Sequence, residues 1–285
     1  MEGVLNLDKP QGMTSHDVVQ RVRRASGVRR VGHAGTLDPR ATGVLLVCIG
    51  RATRLIEYVM GQPKSYTATV RLGQTTDSYD AEGELMQERP FTHLTLDNIQ
   101  AILPRFRGDI QQQPPMFSAL KRNGQPLYKL ARQGVEVERP FRPVTISRLE
   151  ISRFALPELD LIIDCTTGTY IRSLAHDIGE ALGCGGHITA LRRTAVGAFT
   201  AEKAIPLDAL TPDSLPAQLL PNDRAVAHLP ALTFNEADAI DLLNGRRPAR
   251  QPNQPAHSIV RAYGEDGRFL GMVMGESGLW KPKKM

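Results

Sequence analysis

The sequence predicts an α+β fold: one large unit of interspersed strands and helices, followed by a small β-rich module. Polar and apolar residues alternate along 64–72 and an unbroken apolar run fills 44–49, and both patterns are typical of strands. Between 18 and 25, apolar residues recur at helical spacing instead. A proline-rich stretch at 211–230 ends the large unit, so we expect domains at 1–222 and 223–285.

The N-terminal elements follow in order from local signals. A strand over 3–8 enters a Pro/Gly loop, in which Thr14 or Ser15 can cap the next helix. That helix stops at Gly27 and carries several arginines on its polar face. The further elements predicted before residue 104 are the strand 44–49, a helix over 52–60, the strand 64–72 and a helix over 95–103 capped by Thr95, with 73–93 as a loop.

Residues 104–142 mix prolines, glutamines and basic residues, and only 126–133 has a helical pattern. A long irregular segment inside a compact domain usually has a function. We therefore expect a mobile binding element here. Its basic residues include Arg105, Arg107, Lys121, Arg122, Lys129 and Arg132.

The second half alternates strands and helices again. Thr169 is a candidate cap for the helix that follows it, and Arg172 then lies in the first turn, against the helix dipole. A cation in that position favours an anionic partner, and its sequence neighbours supply none. The elements predicted here are strands over 143–154, 159–165 and 187–194, helices over 170–182 and 235–244, and a hairpin over 259–274.

The positive charge is concentrated at one end of the chain. Residues 1–64 contain ten Lys/Arg and five Asp/Glu, whereas residues 65–285 contain 25 of each, so the whole net charge of +5 lies in the first segment. A local basic field attracts polyanions such as nucleic acid. A solvated helix face explains the same charges equally well.

Composition and missing motifs argue against several classes of protein. The three cysteines lie in apolar or Gly-rich contexts, which suits a reduced cytosol and neither a disulfide framework nor a zinc site. We expect no membrane span and no secretory signal. No GxxxxGK[ST], GxGxxG after a strand, HExxH or GxSxG is present. The sequence therefore lacks the motifs that nucleotide hydrolysis, dehydrogenase and metal mechanisms use.

One carboxylate remains in a position typical of function. Asp38 precedes Pro39, which biases it towards an extended conformation, and the pair lies just before the apolar strand 44–49. Taken alone, Asp38 could simply initiate an Asp-Pro turn. Tyr66 likewise lies on the apolar face of its strand, where most tyrosines are core residues. A carboxylate nucleophile with an arginine partner would suit a polyanionic substrate.

Six segments together closely resemble the TruB family, the bacterial tRNA pseudouridine-55 synthases. Their order and the specificity of GTLDP, KPxGxTS and TYIRSLAHDIG make chance agreement negligible. The C-terminal segment resembles the RNA-binding PUA module more loosely. The matching segments are LDKPQGMTS (7–15), HAGTLDPRATGVLLVCIGRATR (33–54), KSYTATVRLGQTTDSYDAEG (64–83), GDIQQQPPMFSALKRNGQPLYKLARQG (108–134), GTYIRSLAHDIG (168–179) and LRRTAVGAF (191–199).

The resemblance implies a fold, a reaction and a set of roles. The fold would have a long central mixed or antiparallel sheet, and the reaction would isomerise a uridine flipped out of the tRNA T-loop. Asp38 would be the nucleophile and would pair with Arg172, while Tyr66 would stack on the base. Tyr170 and Leu191 would wall the pocket, and His33 and Lys9 would contact the substrate. Residues 104–142 would clasp the T-arm.

The resemblance also implies no metal and no organic cofactor, and we expect a cytoplasmic monomer that binds tRNA and no membrane. Two other functions compete with an isomerase. A tRNA-binding folding chaperone would use the same basic segments without catalysis. A hydrolase with an aspartate nucleophile is a weaker alternative, because the basic clusters do not suit a small substrate.

Overall fold

The fold is taken from a computed structural model. It describes all of residues 1–285 except Ala119, Asn123, Arg132, Pro252, Asn253, Ala256 and His257, and except the side chains of Lys121, Arg122 and Pro126. Three basic side chains predicted to belong to the binding element, those of Lys121, Arg122 and Arg132, therefore lie outside the described part.

Helices and strands alternate along the described chain. The helices are α1 (Ser15–Ser26), α2 (Ile56–Met60), α3 (Leu96–Ile102), α4 (Leu127–Ala131), α5 (Ile171–Ala181), α6 (Leu215–Gln218) and α7 (Glu236–Leu243). The strands of the large unit are β1 (Gly3–Lys9), β2 (Val31–His33), β3 (Thr42–Ile49), β4 (Lys64–Leu72), β5 (Gln74–Thr76), β6 (Leu85–Glu88), β7 (Gly108–Gln112), β8 (Lys121–Arg122), β9 (Gln125–Pro126), β10 (Arg142–Ala155), β11 (Glu158–Cys165), β12 (Gly186–Val196), β13 (Phe199–Thr200) and β14 (Ile205–Pro206). The last four strands are β15 (Ala231–Phe234), β16 (Ile259–Gly264), β17 (Phe269–Glu276) and β18 (Leu279–Lys284).

One long mixed sheet runs through the large unit in the order β14-β1-β3-β12-β4-β11-β10-β7. Most neighbouring strands are antiparallel, whereas β1 with β14 and β3 with β12 are parallel. The predicted α+β class with a long mixed sheet is confirmed. The four C-terminal strands form a separate sheet in the order β15-β16-β17-β18.

The apolar run in β3 is buried on both faces, as its continuous pattern predicts. Leu45, Val47 and Ile49 belong to the core cluster beneath α1, α3 and α5. Val44, Leu46 and Cys48 point to a second cluster on the other side. Met272 of β17 packs into that second cluster, so the C-terminal sheet is seated on the large unit.

Helix α1 is stabilised at both ends as the sequence predicts. The Thr14 hydroxyl accepts from the Asp17 amide, and the Asp17 carboxylate accepts from the Thr14 amide in return, which forms a capping box. Gly27 ends the helix with a left-handed φ of +66°. The capping box fixes the loop before α1, and this loop lies against the loop that carries Asp38.

Three local predictions are wrong. Residues 73–93 contain the β5–β6 hairpin, and the polar segment Gly108–Gln112 forms an edge strand against β10. Edge strands can be polar because one face and one side meet solvent, so periodicity does not reveal them. Helix α5 is capped by Tyr170 and not by Thr169, and the Tyr170 side chain makes no capping hydrogen bond.

None of the described helices has both the length and the apolar character that crossing a membrane requires.

Candidate active site

The loop that carries Asp38 connects β2 to β3 and is fixed on both sides of the carboxylate. On one side, the Leu37 amide donates to the Ser15 hydroxyl at 2.9 Å, and that hydroxyl donates back to the Leu37 carbonyl at 3.2 Å. On the other side, Lys9 Nζ donates to the Pro39 carbonyl at 3.0 Å. The KPxGxTS segment therefore packs against the Asp38 loop and fixes its backbone on both sides of the carboxylate.

A buried arginine supports the same loop from below. Arg193 of β12 is 1% exposed, and its Nε donates to the Val44 carbonyl at 2.7 Å. Its Nη2 and Nη1 donate to the carbonyls of Gly35 and Thr36 at 3.1 and 3.4 Å. Gly43 allows this approach, because a Cβ at its φ of +99° would lie 2.2 Å from the Arg193 carbonyl oxygen.

The carboxylate of Asp38 forms a two-point ion pair with Arg172. Arg172 Nε lies 3.0 Å from Asp38 Oδ2, and Nη2 donates to Oδ1 at 3.3 Å. The Arg172 side chain is 8% exposed and that of Asp38 is 38% exposed, so the Asp38 carboxylate faces the cleft and the Arg172 guanidinium lies behind it. This is the contact that the sequence leads us to expect between the two residues.

Arg172 is held by three further acceptors. Its Nη1 donates to Asp80 Oδ2 at 3.2 Å and to the Ser78 carbonyl at 3.1 Å. Its Nη2 also donates to the Phe117 carbonyl at 2.7 Å. The β5–β6 hairpin and the 104–142 segment therefore both meet the guanidinium, which leaves it little freedom to rotate.

The electrostatic balance at Asp38 has opposing parts. Burial raises the pKa of the Asp38 carboxyl, the Arg172 guanidinium lowers it, the Asp80 carboxylate raises it and the Lys9 ammonium lowers it. The net direction is upward. A carboxylate with a raised pKa is less well solvated and more basic than an ordinary aspartate, which favours attack on an electrophile.

The structure brings three of the predicted site residues into one cleft. Asp38, Arg172 and Leu191 line it together with Ala81 and Thr189. Tyr66 lies on β4 opposite Arg193 of β12, and Tyr170 caps the helix that carries Arg172. Burial raises the pKa of both hydroxyls.

The other two predicted residues do not line the cleft. Lys9 is fully buried, with Nζ bonded to the carbonyls of Pro10 and Pro39, and burial lowers its pKa to about 8. His33 ends β2, and its Nδ1 is buried with no hydrogen-bond partner among the described residues. Burial lowers the pKa of His33, and the Arg193 charge lowers it further.

Sequence reasoning misses three residues that shape the site. Two of them are Asp80 and Arg193, and both lie in segments that carry the family resemblance. Gln112 is the third: its Oε1 accepts from the Tyr170 amide at 2.7 Å, and its Nε2 donates to the Tyr170 carbonyl at 3.0 Å. No local pattern reveals these roles, because each depends on a partner more than fifty residues away.

Among the described residues, no group of three or more His, Cys, Asp or Glu side chains could hold a metal ion.

Comparison with known families and proteins gives a consistent result. The family model of the TruB family pseudouridylate synthase N-terminal domain matches residues 23–171, and that of the tRNA pseudouridylate synthase B C-terminal domain matches residues 172–227. The chain belongs to the TruB family. The predicted family is therefore confirmed.

Relatives of this TruB-family chain match it over its whole length. It is 46% identical over 293 residues to the tRNA pseudouridine synthase B of Pseudomonas aeruginosa (strain UCBPP-PA14), covering 100% of this chain and 96% of the relative. It is 45% identical over 288 residues to the protein of the same name in Azoarcus sp. (strain BH72), covering 100% and 95%.

Solved structures with this fold are also similar to the TruB-family chain. A chain in a crystal structure of a Cbf5-Nop10-Gar1 complex matches with a TM-score of 0.76 and 27% identity, over 99% of this chain and 84% of that one. A chain in the archaeal box H/ACA sRNP Nop10-Cbf5 complex matches with a TM-score of 0.75 and 25% identity, over 99% and 85%.

Proposed function

We propose that this protein isomerises uridine 55 in the T-loop of tRNA to pseudouridine, with Asp38 as the nucleophile. The observation that carries the proposal is the ion pair of Asp38 with the buried Arg172, at the foot of a cleft. Binding RNA gains nothing from a carboxylate that faces phosphates, whereas nucleophilic catalysis requires one. Proteins 45–46% identical over the full chain are named tRNA pseudouridine synthase B.

The reaction rearranges one nucleotide without adding or removing atoms overall. The bond between ribose C1′ and N1 breaks, the uracil turns, and C1′ joins C5. The proton on C5 leaves and N1 gains a proton, so the product is an isomer. Asp38 attacks either the ribose or the base ring, and Arg172 keeps its carboxylate ionised and aimed into the cleft.

The remaining predicted residues receive roles in the same proposal. Tyr66 stacks on the flipped base, which offsets part of the free energy lost when the base leaves the RNA stack. Tyr170 and Leu191 form the walls, and His33 contacts the T-loop. Lys9 supports the Asp38 loop through the Pro39 carbonyl and brings a positive charge close to the substrate.

Basic segments outside the cleft provide the surface for tRNA. Residues 104–142 clasp the T-arm, and residues 223–285 act as a PUA-like RNA-binding domain with Arg246, Arg247 and Arg250 at one corner. Phosphate contacts of this kind give affinity without sequence specificity. We propose that the protein acts as a cytoplasmic monomer without a metal or organic cofactor.

Release of tritium from tRNA labelled at C5 of uridine tests the proposed function. The purified protein should release the label from one uridine per unmodified tRNA, because joining C5 to C1′ displaces that hydrogen. A folding chaperone would bind the same tRNA and release none. Binding without release by the wild-type protein would contradict the proposal and favour the chaperone.

Asp80→Asn should slow the chemical step about tenfold or more, because it removes a charged acceptor from Arg172. Single-turnover rates at saturating protein measure this effect, and tRNA affinity should stay within a few-fold. Asp77→Asn in the same hairpin is a matched control, since Asp77 accepts from the Glu84 amide and not from Arg172. Equal rates for the two variants would show that the Asp80 carboxylate does not assist the chemical step.

The rate of the chemical step should fall with acid at a higher pH than an ordinary carboxylate would dictate. Asp38 must be ionised to attack, and burial raises its pKa above the usual 3.8 despite Arg172 and Lys9. Activity is therefore full above the raised pKa and is lost as pH drops through it. Single-turnover rates between about pH 4 and pH 8 measure this fall of the rate with acid, the acid limb of the pH profile. Circular dichroism verifies that the protein stays folded. A limb centred at or below 3.8 would contradict the burial argument.

A further inference from the structure

Tyr79 has a backbone conformation that residues of its kind rarely adopt. Its φ is +62°, in the left-handed region, where a bulky side chain marks strain that the surrounding structure must hold. The residue lies between Ser78 and Asp80, and the Ser78 carbonyl and the Asp80 carboxylate both accept from Arg172. The strain is thus located in the turn that supports the ion pair of the active site.

The ring of Tyr79 joins this turn to the helix that carries Arg172. It stacks on the imidazole of His176, with ring centroids 4.0 Å apart and planes inclined by 11°. His176 follows Arg172 by one helical turn on α5, so the two side chains leave the same face of the helix. Neither Tyr79 nor His176 lines the cleft, so neither is placed to touch a substrate there.

The rest of the turn is held from another direction. The Ile188 amide donates to the Tyr79 carbonyl at 3.1 Å, and the Ala81 amide donates to the Ile188 carbonyl at 2.9 Å. These bonds fix the turn to β12 but not to α5. The contact towards α5 is made by the ring stack and by the acceptors that Arg172 itself uses.

His176 has features of a side chain that is held by packing. Its Nδ1 is buried and has no hydrogen-bond partner among the described residues. Burial lowers the pKa of His176, which Glu180 opposes and Arg89 reinforces, so the ring is neutral near pH 7. A neutral ring without that hydrogen bond is suited to stacking on an aromatic face.

We propose that Tyr79 and His176 are positioning residues for the reaction. Their stack sets the distance between the turn at 78–80 and α5, so that Ser78 and Asp80 hold Arg172 in the orientation that aims Asp38 into the cleft. The proposal rests on the proposed isomerisation. It assigns to a strained turn a role in catalysis without contact to the substrate.

Two variants remove the stack in different ways. Tyr79→Asn keeps a residue that tolerates the left-handed conformation but lacks the ring, and His176→Ala removes the opposite ring. Each should lower the single-turnover rate by about tenfold, the effect expected when one ring contact is lost. The affinity for tRNA should not change. The double variant should lose no more than either single variant, because both remove one contact.

Conservative variants separate positioning from packing. Tyr79→Phe and His176→Phe keep two stacked rings and should restore most of the rate. His93→Ala, at an exposed position, is the control for loss of an imidazole. The acid limb adds a readout: Asp38 is faced by Arg172 from α5, by Asp80 from the hairpin and by Lys9 from β1. In Tyr79→Asn the Arg172 guanidinium is held less firmly, so it lowers the pKa of Asp38 less against the effect of burial. The acid limb of this variant should therefore move to higher pH.

Unchanged rates, additive losses in the double variant, or a rate loss that matches a loss of folded protein would each overturn the proposal. If the wild-type protein forms no pseudouridine, the proposed function fails and this inference fails with it. An active wild-type protein with fully active Tyr79→Asn and His176→Ala variants would overturn the positioning role of the ring stack and leave the proposed function standing.

Discussion

Asp38→Asn is expected to reduce turnover by about 10³-fold or more, while tRNA affinity stays within a few-fold. The amide has the shape of the carboxylate and can still accept from Arg172, so the loop and the ion-pair partner remain in place. It cannot act as the nucleophile. Single-turnover tritium release measures the chemical step, and filter binding measures the affinity.

The control for Asp38→Asn is Asp97→Asn, an exposed carboxylate in the first turn of α3. That variant should keep full rate and full affinity. A stable Asp38→Asn protein that releases tritium at the wild-type rate would remove Asp38 from the chemistry. A parallel loss of affinity would instead assign Asp38 to binding.

Arg172→Leu is expected to lower both stability and activity. Removing the guanidinium leaves the carboxylates of Asp38 and Asp80 without their shared cation, and leaves the Ser78 and Phe117 carbonyls without a donor. Loss of the buried donor to these four acceptors costs about 3 kcal/mol of unfolding free energy. Urea denaturation measures that change, and single-turnover assays of the folded fraction measure the rate.

Two companion variants make the Arg172 result interpretable. Arg172→Lys keeps the charge but not the planar fork, so it should recover part of the stability and little of the rate. Arg172→Leu combined with Asp80→Asn removes one of the stranded charges and should be more stable than Arg172→Leu alone. Unchanged stability in Arg172→Leu would show that the network contributes nothing to folding.

Local signals predicted the parts of the fold that depend on neighbours in sequence. The alternating pattern of β4 matches Lys64–Leu72 because one face of the strand is buried and the other is partly exposed, while its two edges pair with β11 and β12. The capping of α1 by Thr14 follows from residues three apart. The Asp38 loop was recognisable for the same reason, since Pro39 and the apolar run lie next to it.

The missed parts depend on distant partners. The strand Gly108–Gln112 exists because β10 offers it an open edge, and its own residues are mostly polar. Asp80 lies in a segment that the sequence predicts to be a loop. In the structure this segment is a hairpin that places Asp80 beside Arg172, ninety-two residues away. The sequence predicts Arg193 only as part of a strand, but three backbone carbonyls accept from it in the core. Single-sequence patterns do not contain such pairings.

We expect this chain to convert one defined uridine of tRNA to pseudouridine. The most direct test incubates the purified protein with an unmodified tRNA transcript and maps pseudouridine along the product by chemical derivatisation and primer extension. We expect complete conversion at position 55 in the T-loop and none elsewhere. A tRNA that stays unmodified at position 55, or that is modified at other uridines instead, would contradict it.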